Sequence, residues 1–266
     1  MVIKVGSYQL VAKWLCPETW LESARCRLWL SVALRVVNKL HNQAGQPDLM
    51  TDFSVRRTTM VDTQIRPSDV TKFTVIDAML TVRREAFVPD DKRDLAYVDD
   101  CIDLGEGRSM VEPRTLAKML DALELANDDL VLCIGAGFGY SAAVCARIAE
   151  AGVAVEDDET RANEAQTILS SEGIDNVAIL HGALEDGASA HGPYDAVLIE
   201  GAVEELPATI LSQVKDGGRI CVLFTDGALG VVRLGYKMNG NVTWRFAFNA
   251  GAPVIPAFAR QTEFSL

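Results

Sequence analysis

The order of apolar and amphipathic segments in this 266-residue chain predicts an α/β fold with a mostly parallel sheet. Between residues 130 and 224, short apolar runs alternate with longer runs of helical periodicity. Strands buried on both faces are continuously apolar, and parallel neighbours require a crossover between them. After Gly227 the helical pattern stops and further strand-like runs follow. The sequence therefore predicts a sheet covered by helices on both faces, with additional strands at the end of the chain.

The segment before this alternation predicts two helices. Pro67-Ser68-Asp69 opens a helix that continues to Leu80, since proline suits the first turn of a helix. Residues 96–100 are predicted to form a short extended stretch. A second helix begins at Pro113, where apolar residues recur at three- and four-residue spacing.

The alternating segment and the C-terminal region contain the remaining predicted elements. The strands are Leu130 to Ile134, Val153 to Glu156, Val177 to His181, Ala196 to Glu200 and Arg219 to Phe224. The helices are Tyr140 to Ala149, Glu159 to Leu169 and Leu206 to Val214. The terminal strands are Val231 to Tyr236, Thr243 to Phe248 and Ala257 to Phe264. The regular alternation predicts one domain, which we place at residues 50–266.

Residues 1–49 differ from the rest of the chain in composition. They contain three of the four tryptophans and more basic than acidic side chains, although the whole chain has a formal charge of −12. One interpretation is an appended helix with Trp20 and Leu28 on its apolar face. The other is that translation begins at Met50 or Met60 and that the preceding residues come from a start assigned too far upstream. We favour the second, because the composition changes close to an internal methionine.

Composition argues against several partners. A net charge of −12 disfavours a nucleic acid held mainly by phosphate contacts. The longest charge-free apolar run near the N-terminus, Leu28 to Leu34, is far shorter than the roughly 20 residues that span a bilayer, so no membrane association is expected. The six cysteines form no C-x-x-C pair and no histidine cluster accompanies them, so we expect no metal. Without a signal-peptide pattern, the expected location is the cytoplasm, with reduced thiols.

A glycine-rich turn follows the first strand of the alternating segment. Leu130 to Ile134 leads directly into Gly135-Ala-Gly137-Phe-Gly139 and then into a helix. Glycine lets a ligand approach the backbone and permits positive φ, and the N–H groups of a helix N-terminus are free to bind a ligand. Glu156 ends the next strand, where an acid accepts hydrogen bonds from a ribose diol. The combination predicts a nucleoside-binding site, although glycines alone also occur in purely structural turns.

The spacing of these glycines distinguishes two classes of ligand. Dinucleotide sites typically show G-x-G-x-x-G, whereas here the third glycine comes one residue earlier. The shorter spacing is typical of S-adenosylmethionine-dependent methyltransferases, which bind no pyrophosphate. We therefore expect S-adenosyl-L-methionine as the cofactor, bound by Gly135, Gly137, Gly139 and Glu156. A nicotinamide-dependent oxidoreductase remains an alternative.

Several segments after Met60 together resemble one family. They are Ile76-Asp-Ala-Met79, Val82-Arg-Arg-Glu-Ala-Phe-Val-Pro89, Ala96-Tyr-Val-Asp99, Gly107-Arg-Ser-Met-Val-Glu-Pro113, the glycine turn with Tyr140, Pro193-Tyr-Asp-Ala196 and Gly217-Gly-Arg219. The chain is similar in these segments to the protein-L-isoaspartate O-methyltransferases. Many methyltransferases share the glycine turn, whereas the R-E-x-F-V-P and A-Y-x-D block is far more specific to this family.

This resemblance implies a Rossmann-like class I methyltransferase fold over residues 50–266, mostly parallel with an antiparallel terminal strand. It implies methyl transfer from S-adenosyl-L-methionine to the carboxylate of L-isoaspartyl residues, a protein-repair reaction. The methyl ester then collapses to a succinimide, which reopens partly to aspartate. The expected partners are isoaspartyl-containing proteins or peptides, and we expect a monomer.

The catalytic loop departs from the family pattern. The family's Gly-x-Thr-x-Ser-x-Pro appears here as residues 107–113, and the resemblance assigns Ser109 and Val111 as its catalytic positions. Val111 stands where serine is usual, so one polar contact is lost.

The cofactor positions also depart from the pattern. Ala183 and Leu184 stand where the family has Asp-Gly beside the adenine, and Cys133 replaces an acid before the glycine turn. A lost hydrogen bond to a charged group costs on the order of 1.5–3 kcal/mol. We therefore expect weaker cofactor binding unless Glu185 or Asp186 compensates.

Arg108 and Glu200 have several possible roles. A substrate carboxylate is already nucleophilic, so catalysis requires alignment with the sulfonium methyl more than a base. Arg108, Ser109 and the backbone N–H groups of 107–111 are candidate donors to it, while a solvated surface arginine is the alternative for Arg108. Glu200 stands where the family more often has a small residue; it would repel a carboxylate, act as a base, bind a cationic substrate, or simply be a solvated strand-end acid. A divergent relative with another substrate, or without catalysis, therefore stays an alternative.

Overall fold

The structure, a computed structural model, describes the backbone of residues 3–5, 8–10, 49–227 and 229–260, with side chains from residue 53 onward. The chain divides into two compact units, Met1–Asp52 and Phe53–Leu266. In the first unit, β1 (Ile3–Val5) and β2 (Tyr8–Leu10) form an antiparallel pair. The helix considered around Trp20 lies outside the described residues.

The second unit is built on a seven-stranded sheet. The helices are α1 (Leu49–Met60), α2 (Phe73–Thr81), α3 (Pro113–Leu123), α4 (Tyr140–Ala146), α5 (Glu159–Ser171) and α6 (Ala208–Gln213). The strands are β3 (Ile102–Gly105), β4 (Arg108–Met110), β5 (Leu130–Ile134), β6 (Ala151–Glu156), β7 (Val177–His181), β8 (Tyr194–Val203), β9 (Val214–Asp226), β10 (Leu229–Met238) and β11 (Asn241–Asn249). Strands β3 and β4 form a separate antiparallel hairpin.

The strand order is β11-β10-β9-β8-β5-β6-β7. Strands β9, β8, β5, β6 and β7 are parallel, and β10 pairs antiparallel with both β9 and β11. The chain leaves β5 for β6 on one side and later returns to place β8 on the other side. The carboxyl end of β5 is therefore the point where the winding direction reverses, which is where ligands bind in open α/β sheets.

Burial along the strands shows that both faces of the sheet are covered. In β5, Val131 and Cys133 belong to one apolar cluster, while Leu132 and Ile134 belong to a second cluster. Because successive side chains on a strand point to opposite faces, the two clusters occupy the two sides of the sheet. The predicted α/β fold with a mostly parallel sheet is confirmed.

The predicted start of one helix is wrong, although the helix itself forms as α2, and two further predicted elements are wrong. Pro67 does not open a helix: α1 continues through a π-helical turn and a 3-10 turn (Arg66–Ser68) that ends at Asp69, whose φ is +64°. Residues 96–100 form no strand, because the side chain of Arg84 binds the carbonyl of Ala96 and that of Gln64 binds the carbonyl of Tyr97.

The predicted third terminal strand, Ala257 to Phe264, is also wrong over its described residues. Pro256–Phe258 forms a 3-10 turn that buries Phe258, and the carbonyl of Phe258 accepts hydrogen bonds from the amides of Glu204 and Glu205 at 3.1 Å. An apolar segment after Pro256 thus packs as a turn. None of the helices in the described part of the chain combines the length and apolarity needed to cross a membrane.

Candidate active site

The glycine turn at the end of β5 adopts backbone conformations that favour glycine. The φ angles of Gly135, Gly137 and Gly139 are +74°, +58° and +96°. A Cβ at Gly135 would lie 2.5 Å from Nη2 of Arg108, and a Cβ at Gly137 would lie 2.7 Å from Cδ1 of Leu104. Because glycine has no side chain, a space remains above Gly135 and Gly137, which we call the glycine cradle. Side chains of the β3–β4 hairpin fill it in this structure.

Glu156 lies at the carboxyl end of β6 and is completely buried. Its Oε1 accepts a hydrogen bond from Nη1 of Arg161 at 2.8 Å, and its Oε2 accepts one from the amide of Gly137 at 2.7 Å. Burial raises the pKa of the Glu156 carboxyl to about 7, although Arg108, Arg161 and the Gly137 amide act in the opposite direction. The acid therefore contacts the glycine turn, as the spacing in the sequence predicts.

Arg108 connects the hairpin to this acid. It is 3% exposed, and its Nη2 donates to Oε2 of Glu156 across a long distance of 3.4 Å. Its Nη1 lies 4.0 Å from Oδ1 of Asp157, and its Nε and Nη1 are buried without a hydrogen-bond partner. The alternative of a solvated surface arginine is thus wrong. Arg108 lies on the glycine turn with most of its donors unused.

Glu200 lies on β8, next to β5 in the sheet, and is 4% exposed. Burial raises the pKa of its carboxyl to about 6, opposed by Ser141, Arg84, Arg108 and the Val111 amide. Its Oε2 has no hydrogen-bond partner. Glu200 is therefore not a solvated strand-end acid but a buried carboxylate near two arginines.

Arg84 belongs to the R-E-x-F-V-P motif and organises the wall of the site. It is fully buried; its Nε donates to the carbonyl of Ala96 at 2.8 Å and its Nη2 to the carbonyl of Val111 at 2.7 Å. Its guanidinium lies 4.6 Å from the ring centroid of Tyr140 at the start of α4. In the sequence this arginine is marked only by its place in a family motif; between Arg83 and Glu85 it is one of three consecutive charged residues, and no local signal distinguishes it.

The two predicted catalytic residues, Ser109 and Val111, have different surroundings in the structure. Val111 is 1% exposed, and its carbonyl accepts a hydrogen bond from Arg84. Ser109 is half-buried on β4 opposite Asp103, between Arg108 and Met110, which are both buried. Since side chains alternate along a strand, Ser109 faces away from the glycine turn while Arg108 faces it.

The two predicted adenine-side residues follow β7. Ala183 is exposed, whereas Leu184 is buried in one of the apolar clusters. The side chain of Leu184 thus belongs to the core, which leaves only its backbone for a ligand. Glu185 and Asp186, named as possible replacements for the missing acid, are both exposed beside Ala183.

Two observations fit S-adenosyl-L-methionine to these residues, the open glycine turn and the acid beside it. The glycine cradle is bounded by side chains that can move rather than by backbone. An acid stands at the end of β6, and buried donors of Arg108 have no partner. Within the described residues, no group of three or more His, Cys, Asp or Glu side chains is placed to hold a metal ion.

Comparison with known proteins decides the family. The model of the protein-L-isoaspartate(D-aspartate) O-methyltransferase family matches residues 55–245. The chain belongs to this family. It is 35% identical over 214 residues to a protein-L-isoaspartate O-methyltransferase of Roseiflexus castenholzii, covering 80% of this chain and 97% of the relative. It is 38% identical over 173 residues to protein-L-isoaspartate O-methyltransferase 1 of Rhodopseudomonas palustris, covering 65% and 71%.

Solved structures of the same family show the same fold. A protein-L-isoaspartate O-methyltransferase aligns with a TM-score of 0.66 at 24% identity, covering 75% of this chain and 65% of that chain. A Plasmodium falciparum protein described as a putative protein-L-isoaspartate O-methyltransferase in complex with S-adenosyl-L-homocysteine aligns with a TM-score of 0.65 at 16% identity, covering 76% and 98%. The expected Rossmann-like methyltransferase fold is therefore confirmed for this protein-L-isoaspartate O-methyltransferase family member.

Proposed function

We propose that this chain transfers a methyl group from S-adenosyl-L-methionine to the carboxylate of L-isoaspartyl residues in damaged proteins. The observation that carries the proposal is the match of the family model over residues 55–245, within which the glycine turn and Glu156 meet at the carboxyl ends of the parallel strands. The resulting ester collapses to a succinimide, and partial reopening to aspartate repairs the backbone.

The protein's task in this reaction is alignment. The cofactor supplies an electrophilic methyl group on a sulfonium, and the substrate carboxylate is the nucleophile. Gly135, Gly137 and Gly139 allow close approach of the ligand to the backbone, and Glu156 provides oxygens for a ribose diol.

The test is transfer of labelled methyl from S-adenosyl-L-methionine to an isoaspartyl peptide, with its aspartyl twin as the matched substrate control. Base-labile label on the isoaspartyl peptide alone is the expected result. Label on neither peptide, with the protein folded and a known active enzyme assayed in parallel, would overturn the proposal.

Val111, Ala183 and the buried Glu200 favour a second candidate, a divergent relative that binds the same cofactor but methylates another substrate or none. The carboxylate of Glu200 on β8 opposes a substrate carboxylate nearby unless the arginines around it offset its charge. In that case the chain would bind S-adenosyl-L-homocysteine in calorimetry while leaving the isoaspartyl peptide unlabelled. The nicotinamide alternative predicts heat from NAD instead.

For the setting of this activity, the proposal is a cytoplasmic monomer whose partners are isoaspartyl-containing proteins or peptides. Cys101, Cys133, Cys145 and Cys221 are free thiols, as the reducing cytoplasm allows. Sedimentation of the purified protein and cell fractionation test the two parts separately.

A further inference from the structure

Arg108 occupies the space that the glycine turn keeps free for a ligand. Its Nη2 and Cζ would lie 2.5 and 3.3 Å from a Cβ at Gly135, so the guanidinium is in close contact with the first glycine of the turn. It also donates to Oε2 of Glu156, an oxygen that a ribose hydroxyl requires. A cofactor bound at this turn and this acid therefore displaces Arg108.

Glu156 has two hydrogen-bond donors besides Arg108. Arg161 already donates to Oε1 at 2.8 Å, and the Gly137 amide donates to Oε2 at 2.7 Å. The contact from Arg108 is the longest of the three, at 3.4 Å. When this contact is lost, the two shorter hydrogen bonds remain, although Arg108 lowers the pKa of Glu156 more than Arg161 does.

Two of the buried arginines of the site, Arg84 and Arg108, differ in freedom. Arg84 is fixed by two backbone carbonyls and by the ring of Tyr140. Arg108 has one long hydrogen bond, with Nε and Nη1 both unpartnered. Of these two, Arg108 is the side chain that can move and that has a planar fork of donors for a new acceptor.

A carboxylate matches this set of donors. A guanidinium binds a carboxylate through two parallel hydrogen bonds, which satisfy Arg donors that a single acceptor atom leaves unused. Arg108 lowers the pKa of both Glu156 and Glu200, so its charge lies within electrostatic reach of β6 on one side and β8 on the other. Its charge also offsets that of Glu200, which would otherwise repel an anionic substrate.

We propose that Arg108 binds the substrate carboxylate, and that in the absence of cofactor it occupies the cofactor's place on Gly135 and Glu156. Cofactor binding displaces the guanidinium from Glu156 and makes its donors available to the substrate. The two ligands therefore bind in order, cofactor first. This inference rests on the proposed function for the identity of the substrate, but the displacement of Arg108 by the cofactor does not.

The first experiment measures binding of S-adenosyl-L-homocysteine by calorimetry to the wild-type protein and to Arg108→Gln. Removing the competing guanidinium is expected to tighten binding about threefold to tenfold, the range for one modest hydrogen bond. Arg114→Gln, an exposed arginine beyond the same hairpin, is the matched control and is expected to leave binding unchanged. Weaker binding by Arg108→Gln than by wild type would overturn the displacement, because a purely structural arginine would support the site.

The second experiment titrates an isoaspartyl peptide into the protein with and without saturating S-adenosyl-L-homocysteine. Wild type is expected to bind the peptide only when the cofactor product is present, and equal binding without it would overturn the order. In steady state, Arg108→Gln is expected to raise KM for the peptide by about tenfold or more, with a smaller change in kcat. Arg108→Lys keeps the charge but loses the fork, so an intermediate KM is expected.

The two proposals fail in different ways. If the wild-type protein methylates no isoaspartyl peptide, the proposed function is wrong, and calorimetry with Arg108→Gln still decides whether the cofactor displaces this side chain. If wild type methylates the peptide and Arg108→Gln keeps its KM, the assignment of Arg108 to the substrate is wrong. Equal thermal midpoints of the variants show that each comparison is made on folded protein.

Discussion

Glu156 shows how burial sets the working range of a binding residue. Its pKa is raised to about 7 chiefly by burial, so near neutral pH the carboxyl is partly protonated. A protonated carboxyl has given up one acceptor position to its own proton and binds a ribose diol less well. The raised pKa also means that protonation favours the folded state, so its contribution to stability is present at low pH and is lost as the pH rises through about 7.

Affinity for S-adenosyl-L-homocysteine is therefore expected to rise about tenfold between about pH 6 and about pH 8, as Glu156 becomes ionised. Calorimetry across this range measures it, and Glu156→Gln should remove the dependence along with much of the affinity. His181 lies opposite Glu156 in the β6–β7 pairing, so its side chain must be tested separately. A slope that persists in Glu156→Gln and disappears in His181→Asn would assign the effect to the histidine instead.

Gly137 provides a steric test of the cradle. A valine here requires a φ of +58° that a β-branched residue strongly resists, and its Cβ would lie 2.7 Å from Leu104. Gly137→Val is expected to abolish binding of S-adenosyl-L-homocysteine in calorimetry. Circular dichroism should show a folded protein, and retained tight binding would mean that the ligand lies elsewhere.

At the scale of elements, no strand of the segment from residue 83 to residue 113 pairs with the seven-stranded sheet, and the side chain of Arg84 makes contacts of another kind. That side chain connects two carbonyls of the segment to the first turn of α4. Periodicity of apolar residues finds strands and helices that pair through the backbone, so it placed β5 to β9 correctly. It assigned an extended stretch at residues 96–100, because nothing in a local pattern shows that a side chain twelve residues away binds the carbonyl of Ala96.

Arg84→Ala is expected to lower the free energy of unfolding by about 3 kcal/mol or more, because it unpairs two buried carbonyls and leaves a cavity. Chemical denaturation measures the change. Arg83→Ala is the matched control: Arg83 is 43% exposed and pairs with Glu172, so its loss is expected to cost about 1 kcal/mol or less. Similar losses in the two variants would show that the buried contacts of Arg84 contribute little.

At the scale of the whole molecule, the sequence predicted the sheet and the position of the glycine turn and Glu156, because these depend on local pattern and strand order. It assigned Ser109 and Leu184 to the site. In the structure, the alternation of side chains along β4 turns Ser109 away from the glycine turn, and Leu184 is buried in an apolar cluster. It left Arg108 and Glu200 undecided. Their burial depends on how the β3–β4 hairpin packs over β5 and β8, which no local pattern contains.

The boundary proposed at residue 50 can be tested with two shortened chains. Phe53 lies 6.4 Å from the ring of Tyr97, and Arg57 lies 3.7 Å from Glu85, so α1 contributes to the wall that contains Arg84. A chain that begins at Met50 is expected to keep cofactor binding and a melting temperature within about 2 °C of the full chain. A chain that begins at Met60 loses these contacts and is expected to melt about 5 °C lower or more. Equal melting of the two chains would show that α1 is dispensable.

The role of Arg84 also bears on how relatives of this chain are classified. The motif that identifies the family most specifically, R-E-x-F-V-P, contains an arginine whose described contacts are two carbonyls and a ring of the same chain. These contacts give it a structural role in the wall of the site. A descendant that had lost its activity would still need this arginine to fold, so the motif records common ancestry, while Arg108, Glu156 and Glu200 are the positions at which loss or change of activity would be visible.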